Sequence, residues 1–314
     1  MKSDVNLIFM GTPEFALPSL RALLKEGYQV KAVVTQPDRP SGRGGKIKVS
    51  PVKEEALIHG LEVLQPSSLD RDFIDKMRHI KPDILVVVAY GKILPPDLLN
   101  IPPLGCINLH ASLLPRYRGA APIHRAVING EKITGVTTMY MKEGMDTGDI
   151  ILQEEARIDE KETAGSLHDR LAEKGAKLLI KTLELIQEGK APSILQEEEK
   201  ASYAPPLKRE EELIDWRKSA AGIFNKVRGM NPWPGAYTCW KGKRLKVWNS
   251  RVVDQKALYN PGEIIRVDKE GILVGTGKGT LLITRVQISG GRKMKAGEFI
   301  RGKDMKAGEL LEGW

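Results

Sequence analysis

Apolar positions along this chain change period in a way that alternates strand with helix. Residues 5–10 form a short apolar run ending at Gly11-Thr12-Pro13, and Phe15, Leu20, Leu23 and Leu24 then recur at helical spacing. Residues 30–35 predict a second strand, and residues 52–59 and 70–79 predict amphipathic helices flanking a short strand at 61–64. Residues 84–89 are a continuous apolar run, the pattern of a parallel strand buried on both faces. Residues 105–110 alternate, so Cys106, Ile107 and Leu109 are expected to be buried while Asn108 and His110 emerge together on one face. A helix over 120–129, a β-branched strand over 134–141, a mixed strand over 150–158 and a long helix over 163–188 continue the alternation. It predicts a doubly wound, Rossmann-like α/β sheet. The first turn lacks the glycines of a dinucleotide loop, so no dinucleotide is expected.

The pattern changes after Gly189. Residues 190–208, with three consecutive glutamates and Pro205-Pro206, have the composition of a linker. Beyond it come one amphipathic helix ending near Gly229, the rigid Asn231-Pro232-Trp233-Pro234 turn, and about five short strands separated by glycine turns. Such spacing predicts a small β-barrel of OB type. The expected division is therefore 1–189 as an α/β domain, 190–208 as linker, and 209–314 as an OB-like domain.

Composition sharpens this division. The net charge is +9, and residues 209–314 hold 21 Lys and Arg against 12 Asp and Glu, whereas residues 1–208 are balanced at 28 and 28. The excess belongs to the second domain and points to a polyanionic partner, nucleic acid first. No apolar run approaches the ~20 residues of a membrane span, and the chain enters its first strand without a signal-peptide pattern. A cytoplasmic protein with no membrane partner is expected. Two cysteines make no disulfide framework, and the histidines lie at no metal-ligand spacing, so no metal is expected.

The candidate chemistry lies in residues 105–149. After Asn108 and His110 comes a loop, Ser112-Leu113-Leu114-Pro115-Arg116-Tyr117-Arg118-Gly119. The strand over 134–141 then ends in Lys142-Glu143-Gly144-Met145-Asp146-Thr147-Gly148-Asp149. Asn108, His110 and Asp146 suit transfer of an acyl-type group to an amine. Attack makes the carbonyl oxygen negative and the nitrogen positive, so an amide or imidazole donor serves the first and a carboxylate the second. Ser112 beside His110 invites a hydrolase reading, but no G-x-S-x-G elbow supports it.

The run Asn108-Leu109-His110-Ala111-Ser112-Leu113-Leu114-Pro115, then Arg118-Gly119-Ala120-Ala121-Pro122 and Met145-Asp146-Thr147-Gly148-Asp149, resembles the folate-dependent formyltransferases. The resemblance extends along essentially the whole chain, from Met10-Gly11-Thr12-Pro13-Glu14-Phe15 through Val88-Ala89-Tyr90-Gly91 to Asn231-Pro232-Trp233-Pro234. It implies that Asn108, His110 and Asp146 are catalytic and that 10-formyltetrahydrofolate is the co-substrate. It also implies that Val88, Ala89, Tyr90, Gly91, Ile93, Leu94, Ser112, Leu113, Leu114 and Pro115 hold that co-substrate. Within the family the chain is most similar to members that formylate initiator methionyl-tRNA. That similarity implies tRNA contacts at Phe15, Arg39, Arg43, Lys46 and Lys48, the last four in a Gly- and Pro-rich basic loop expected to be mobile. No obligate protein partner is evident. One departure from the family pattern is Arg228-Gly229-Met230, where Ala-Phe is expected between Arg and Asn231. Other acceptors, an amino sugar or glycinamide ribonucleotide, and a non-catalytic RNA-binding role remain as alternatives.

Overall fold

The computed structural model describes residues 5–41 and 46–313. Two compact units are resolved. The first comprises residues 1–122, 133–157 and 168–204, and the second residues 123–132, 158–167 and 205–314.

The first unit is built on a seven-stranded sheet. Its strands are β1 (Asn6–Gly11), β2 (Gln29–Val34), β5 (Val63–Leu64), β6 (Ile84–Val88), β7 (Cys106–His110), β8 (Ile133–Tyr140) and β9 (Ile150–Arg157), in the order β5-β2-β1-β6-β7-β8-β9. The first five are parallel, as the continuous apolar run of β6 predicts, and β8 and β9 are antiparallel. Helices α1 (Leu17–Lys25), α2 (Pro51–Ile58), α3 (Arg71–Ile80) and α4 (Pro96–Leu99) link the parallel strands. Ser50 and Asp70 cap α2 and α3, accepting the Lys53 and Phe73 amides that lack an intrahelical partner. The basic segment expected as a mobile loop holds a two-stranded antiparallel hairpin, β3 (Arg39–Ser41) with β4 (Lys46–Lys48). Its base is fixed at Asp38, which accepts from Lys53 Nζ at 2.6 Å and Gln65 Nε2 at 2.8 Å. Residues 190–204, read from composition as linker, group with this unit because their backbone pairs with residues 115–121. Helix α5 (Pro122–Ile128) falls, after its first residue, in the second unit, and α6 (Ala164–Gln187) belongs to the first unit from His168 onward.

The second unit is an antiparallel sheet of β10 (Tyr237–Trp240), β11 (Lys243–Asp254), β12 (Ile264–Asp268), β13 (Gly271–Gly275) and β14 (Thr280–Ile288), ordered β10-β11-β14-β13-β12, with β15 (Met294–Lys295) on β14. Irregular register bends the twelve-residue β11. Residues 308–312, which carry no strand pattern, tie the two edges together. Glu312 and Cys239 exchange backbone hydrogen bonds at 2.8 and 2.9 Å, Leu311 N donates to Gly262 O, and Ile264 N donates to Glu309 O. The sheet thereby closes into a barrel, the OB-like form expected, with α7 (Ala220–Gly229), α8 (Ala296–Arg301) and Trp216 packed on its core. Trp216 is fully buried and donates to Thr238 Oγ1 at 3.0 Å. The Arg228-Gly229-Met230 departure has a packing reason: a Cβ on Gly229 would lie 2.5 Å from Ile128 Cγ1 and 3.0 Å from its backbone N.

Within this unit Arg125 grips Glu211 through both guanidinium ends, at 2.5 and 2.9 Å. That hydrogen bonding draws the Glu211 carboxyl from its ordinary 4.5 down to about 2. A depressed carboxylate contributes stability that is fully present above about pH 4.5 and is lost as pH falls towards about 2. Glu211→Gln should therefore lower the urea midpoint at pH 7 and lower it less at pH 3; equal deficits at both values would contradict the assignment.

Candidate active site

The site is centred on β7. Asn108 and His110 stand two residues apart and so share a face, and both are buried, at 9% and 6% exposure. Periodicity carries no strand direction. Because β8 runs antiparallel, with Ile107 opposite Tyr140 and His110 opposite Thr137, the 141–149 loop leaves from the other end of β7. It reaches the face only by folding back. Asp146 makes that turn in the left-handed region, φ 55°, which few non-glycine residues occupy.

Asp146 meets all the expected groups. Asn108 Nδ2 donates to Oδ1 at 3.3 Å, Gly119 N donates to Oδ2 at 2.8 Å, and His110 Nδ1 lies 3.6 Å from Oδ2. Gly119 itself has φ 116°, and a Cβ there would come within 2.9 Å of the Ala204 carbonyl. His110 Nε2 faces the Tyr117 carbonyl at 3.0 Å. A carbonyl only accepts, so Nε2 carries a proton and donates, leaving Nδ1 turned to the carboxylate. Asn108 has a second amide hydrogen beyond the one given to Asp146.

Neither Ser112 nor Cys106 competes with this arrangement. Ser112 Oγ donates to Arg116 O at 2.6 Å, and His110 is committed to Tyr117 and Asp146, so the two form no serine–histidine pair. Burial pushes the Cys106 thiol up to about 12, which leaves it a neutral core group.

The segments expected to hold a co-substrate lie at the same sheet edge. Val88 pairs with Leu109 in parallel register, so the turn after β6 emerges beside His110. Ala89 and Gly91 take positive φ and are exposed, and Ile93 is 73% exposed, while Val88, Tyr90 and Leu94 are buried. The buried Tyr90 hydroxyl has no hydrogen-bond partner among the described residues, and its desolvation pushes the phenol up to about 12. Leu114 N donates to Thr137 Oγ1, and Gln153 Nε2 donates to Leu114 O, which fixes the turn from Ser112 through Leu113 and Leu114 to Pro115.

The residues expected to meet nucleic acid are placed less uniformly. Arg39 and Lys48 are exposed and directly opposite in the hairpin. Lys46 belongs to the hairpin backbone, and Arg43 lies outside the described residues. Phe15 is 5% exposed, its ring edge-on to His168 at 5.3 Å. Periodicity and composition gave no sign of Gln196, which donates from Nε2 to the carbonyls of Asp146 and Gly148. Nor did they mark the basic and aromatic pairs of the barrel, Arg244 over Tyr237 at 4.0 Å and Lys293 over Trp248 at 4.2 Å. Among the described residues no helix is long and apolar enough to cross a membrane, and no group of three or more His, Cys, Asp or Glu is placed to hold a metal ion.

Comparison with known proteins bears on this geometry. Residues 5–183 match the formyl transferase family, and residues 206–304 match the formyl transferase C-terminal domain. The chain is 54% identical over 300 residues to the methionyl-tRNA formyltransferase of Pelotomaculum thermopropionicum, covering 95% of this chain and 96% of that one. It is also 54% identical over 299 residues to the methionyl-tRNA formyltransferase of Moorella thermoacetica, with the same coverage. Among solved structures, an N-formyltransferase from Helicobacter canadensis, in complex with folinic acid and dTDP-3-aminofucose, superposes with TM-score 0.68 at 20% identity over 89% of this chain and 98% of that one. HypX from Aquifex aeolicus, in complex with tetrahydrofolic acid, superposes with TM-score 0.65 at 18% identity over 99% of this chain and 51% of that one. At such identities both speak to the fold.

Proposed function

Because the chain belongs to the formyl transferase family, we propose that it transfers the formyl group of 10-formyltetrahydrofolate to the α-amino group of methionyl initiator tRNA. The observation that carries the chemistry is the half-buried Asp146 carboxylate, held by Gly119 N within reach of both Asn108 and His110. The 54% identity with methionyl-tRNA formyltransferases over 95% of the chain supports the acceptor.

The co-substrate brings an activated formyl carbon bound to nitrogen, and the residues of the site act around it. The incoming amine forms a C–N bond to that carbon, the bond to the folate nitrogen breaks, and one proton passes from the amine to the departing nitrogen. The second Asn108 amide hydrogen is the donor for the oxygen that becomes negative as the bond forms. His110, fixed by Tyr117, presents Nδ1 on the same face, where with Asp146 it takes up and returns the proton. No covalent adduct with the protein is required.

The tRNA is met by cations on both parts of the chain. Arg39 and Lys48 oppose each other across the hairpin, and like charges so placed repel until an anion comes between them. Arg43 belongs to the same stretch, and the barrel adds Arg244, Lys246 and Lys293 beside Tyr237 and Trp248. Each phosphate contact releases counterions, so Arg43→Ala should flatten the slope of log K against log salt by roughly 0.7–0.9; coincident slopes for the two proteins would remove Arg43 from tRNA recognition.

An acceptor panel tests the function. With one formyl donor, charged initiator tRNA should be formylated far faster than charged elongator tRNA, free methionine or a nucleotide-linked amino sugar. Preference for the sugar would reassign the acceptor while leaving the chemistry in place.

A further inference from the structure

Arg118 is fully buried, and a buried guanidinium must find partners for its fork of donors. It finds two. Nε and Nη2 donate to Gln196 Oε1 at 3.1 and 2.9 Å, while Nη1 and Nη2 donate to the Glu198 carboxylate at 2.9 and 2.8 Å. The Gln196 contacts fix the amide's orientation. Arginine offers only donors, so Oε1 must face it, and Nε2 is turned the other way, towards Asp146 O at 2.8 Å and Gly148 O at 2.7 Å. A flipped amide would set its NH2 against the guanidinium and its oxygen against two carbonyls.

We propose that Gln196, oriented by Arg118, is a positioning residue that holds the Asp146 carboxylate in place for formyl transfer. This rests on the reading of Asp146 as a catalytic group. Asp146 sits at φ 55°, a conformation that an aspartate keeps only when its surroundings impose it. Two clamps impose it from the same short segment. The Gly119 amide holds the carboxylate oxygen, and the side chain of its neighbour Arg118 holds the backbone through Gln196. Arg118 is itself anchored by its main chain, its N donating to Ser202 O at 2.8 Å and its O accepting from Ala204 N at 2.7 Å. Glu198 is on the solvent side of the network, its side chain 68% exposed, and such a pair adds little. The branch that reaches the active site is the amide.

The test is a cycle on the full-length protein with Gln196→Glu, Asp146→Asn and the double variant, reading kcat and KM for donor and acceptor. Gln196→Glu keeps an acceptor for Arg118 and removes the donors to the two carbonyls. A displacement of about 1 Å at a catalytic group slows turnover by up to about a hundredfold, so kcat should fall roughly ten- to hundredfold with both KM values changed less than about twofold. The double variant should be no slower than Asp146→Asn alone, since the clamp acts through that carboxylate. Wild-type kcat in Gln196→Glu, a loss confined to KM, or losses that multiply in the double variant would overturn the proposal. Should Gln196→Glu not fold, Gln196→Met, which keeps length and removes every hydrogen bond, carries the same cycle. Full activity in Asp146→Asn would overturn the reading of Asp146 itself; a loss there beside full activity in the Gln196 variants would overturn only the clamp.

Discussion

Alanine at Asn108 is expected to lower kcat roughly 10²–10³-fold, the loss that follows removal of a single donor to a developing oxyanion. The expectation comes from the hydrogen inventory of the site. One Nδ2 hydrogen is given to Asp146; the second is a further donor, and the amine's attack creates an oxygen acceptor for it. The truncation should leave the fold intact, because β7 is held by backbone pairing to β6 and β8 on both sides. Steady-state kinetics and a thermal melt check both parts. Retention of more than about a tenth of wild-type turnover would remove Asn108 from the chemistry.

The second large effect is expected from Asp146→Asn, with a fall in kcat of about 10²–10⁴. The substitution keeps shape but trades a group that only accepts for one with an accepting and a donating end. Gly119 N requires the acceptor at the Oδ2 position. The new amide nitrogen then faces the Asn108 amide, donor against donor, and His110 Nδ1 loses the charge beside it. The shape of the pH–rate profile should change along with its height. Slight slowing under an unchanged profile would make Asp146 a residue of loop structure only.

How far these features could be read before the fold was known follows from what each depends on. Strands β1, β2 and β6 are legible because an apolar run bounded by glycine and proline turns fixes a buried strand locally. Asn108 and His110 are legible as a pair because a spacing of two puts them on one face whatever surrounds them. Strand direction is not local: β8 has the same β-branched pattern whether parallel or antiparallel, so the folded-back path of the Asp146 loop lay outside periodicity. Residues 190–204 have the composition of a linker, yet they pack because of what their backbone meets, Pro115, Arg118 and Ala121, more than 70 positions away. Gln196 has no local signal at all. The closure of the barrel by residues 308–312 is hidden for a similar reason, since a few residues pairing one rung to each edge show no alternation. Phe15 illustrates the opposite case: a large apolar residue after a turn is legible as core, and its burial against His168 agrees with the helical spacing that first marked it.

The unit boundaries also bear on how the two activities can be separated. The second unit includes residues 123–132 and 158–167, and Ile128 packs on its core. A cut near residue 208 would separate Ile128 from that core, so a point variant such as Arg43→Ala tests the proposed tRNA recognition apart from chemistry more cleanly than truncation.

Direct transfer at this trio is tested most directly by a rapid-quench single turnover with a donor labelled in its formyl carbon and methionyl initiator tRNA in excess. The label should pass to the α-amine of the methionyl group in one phase, with none bound to protein at any time, and the rate should collapse in Asn108→Ala and Asp146→Asn. Label held covalently on the protein during turnover, or wild-type rates in those two variants, would contradict the account.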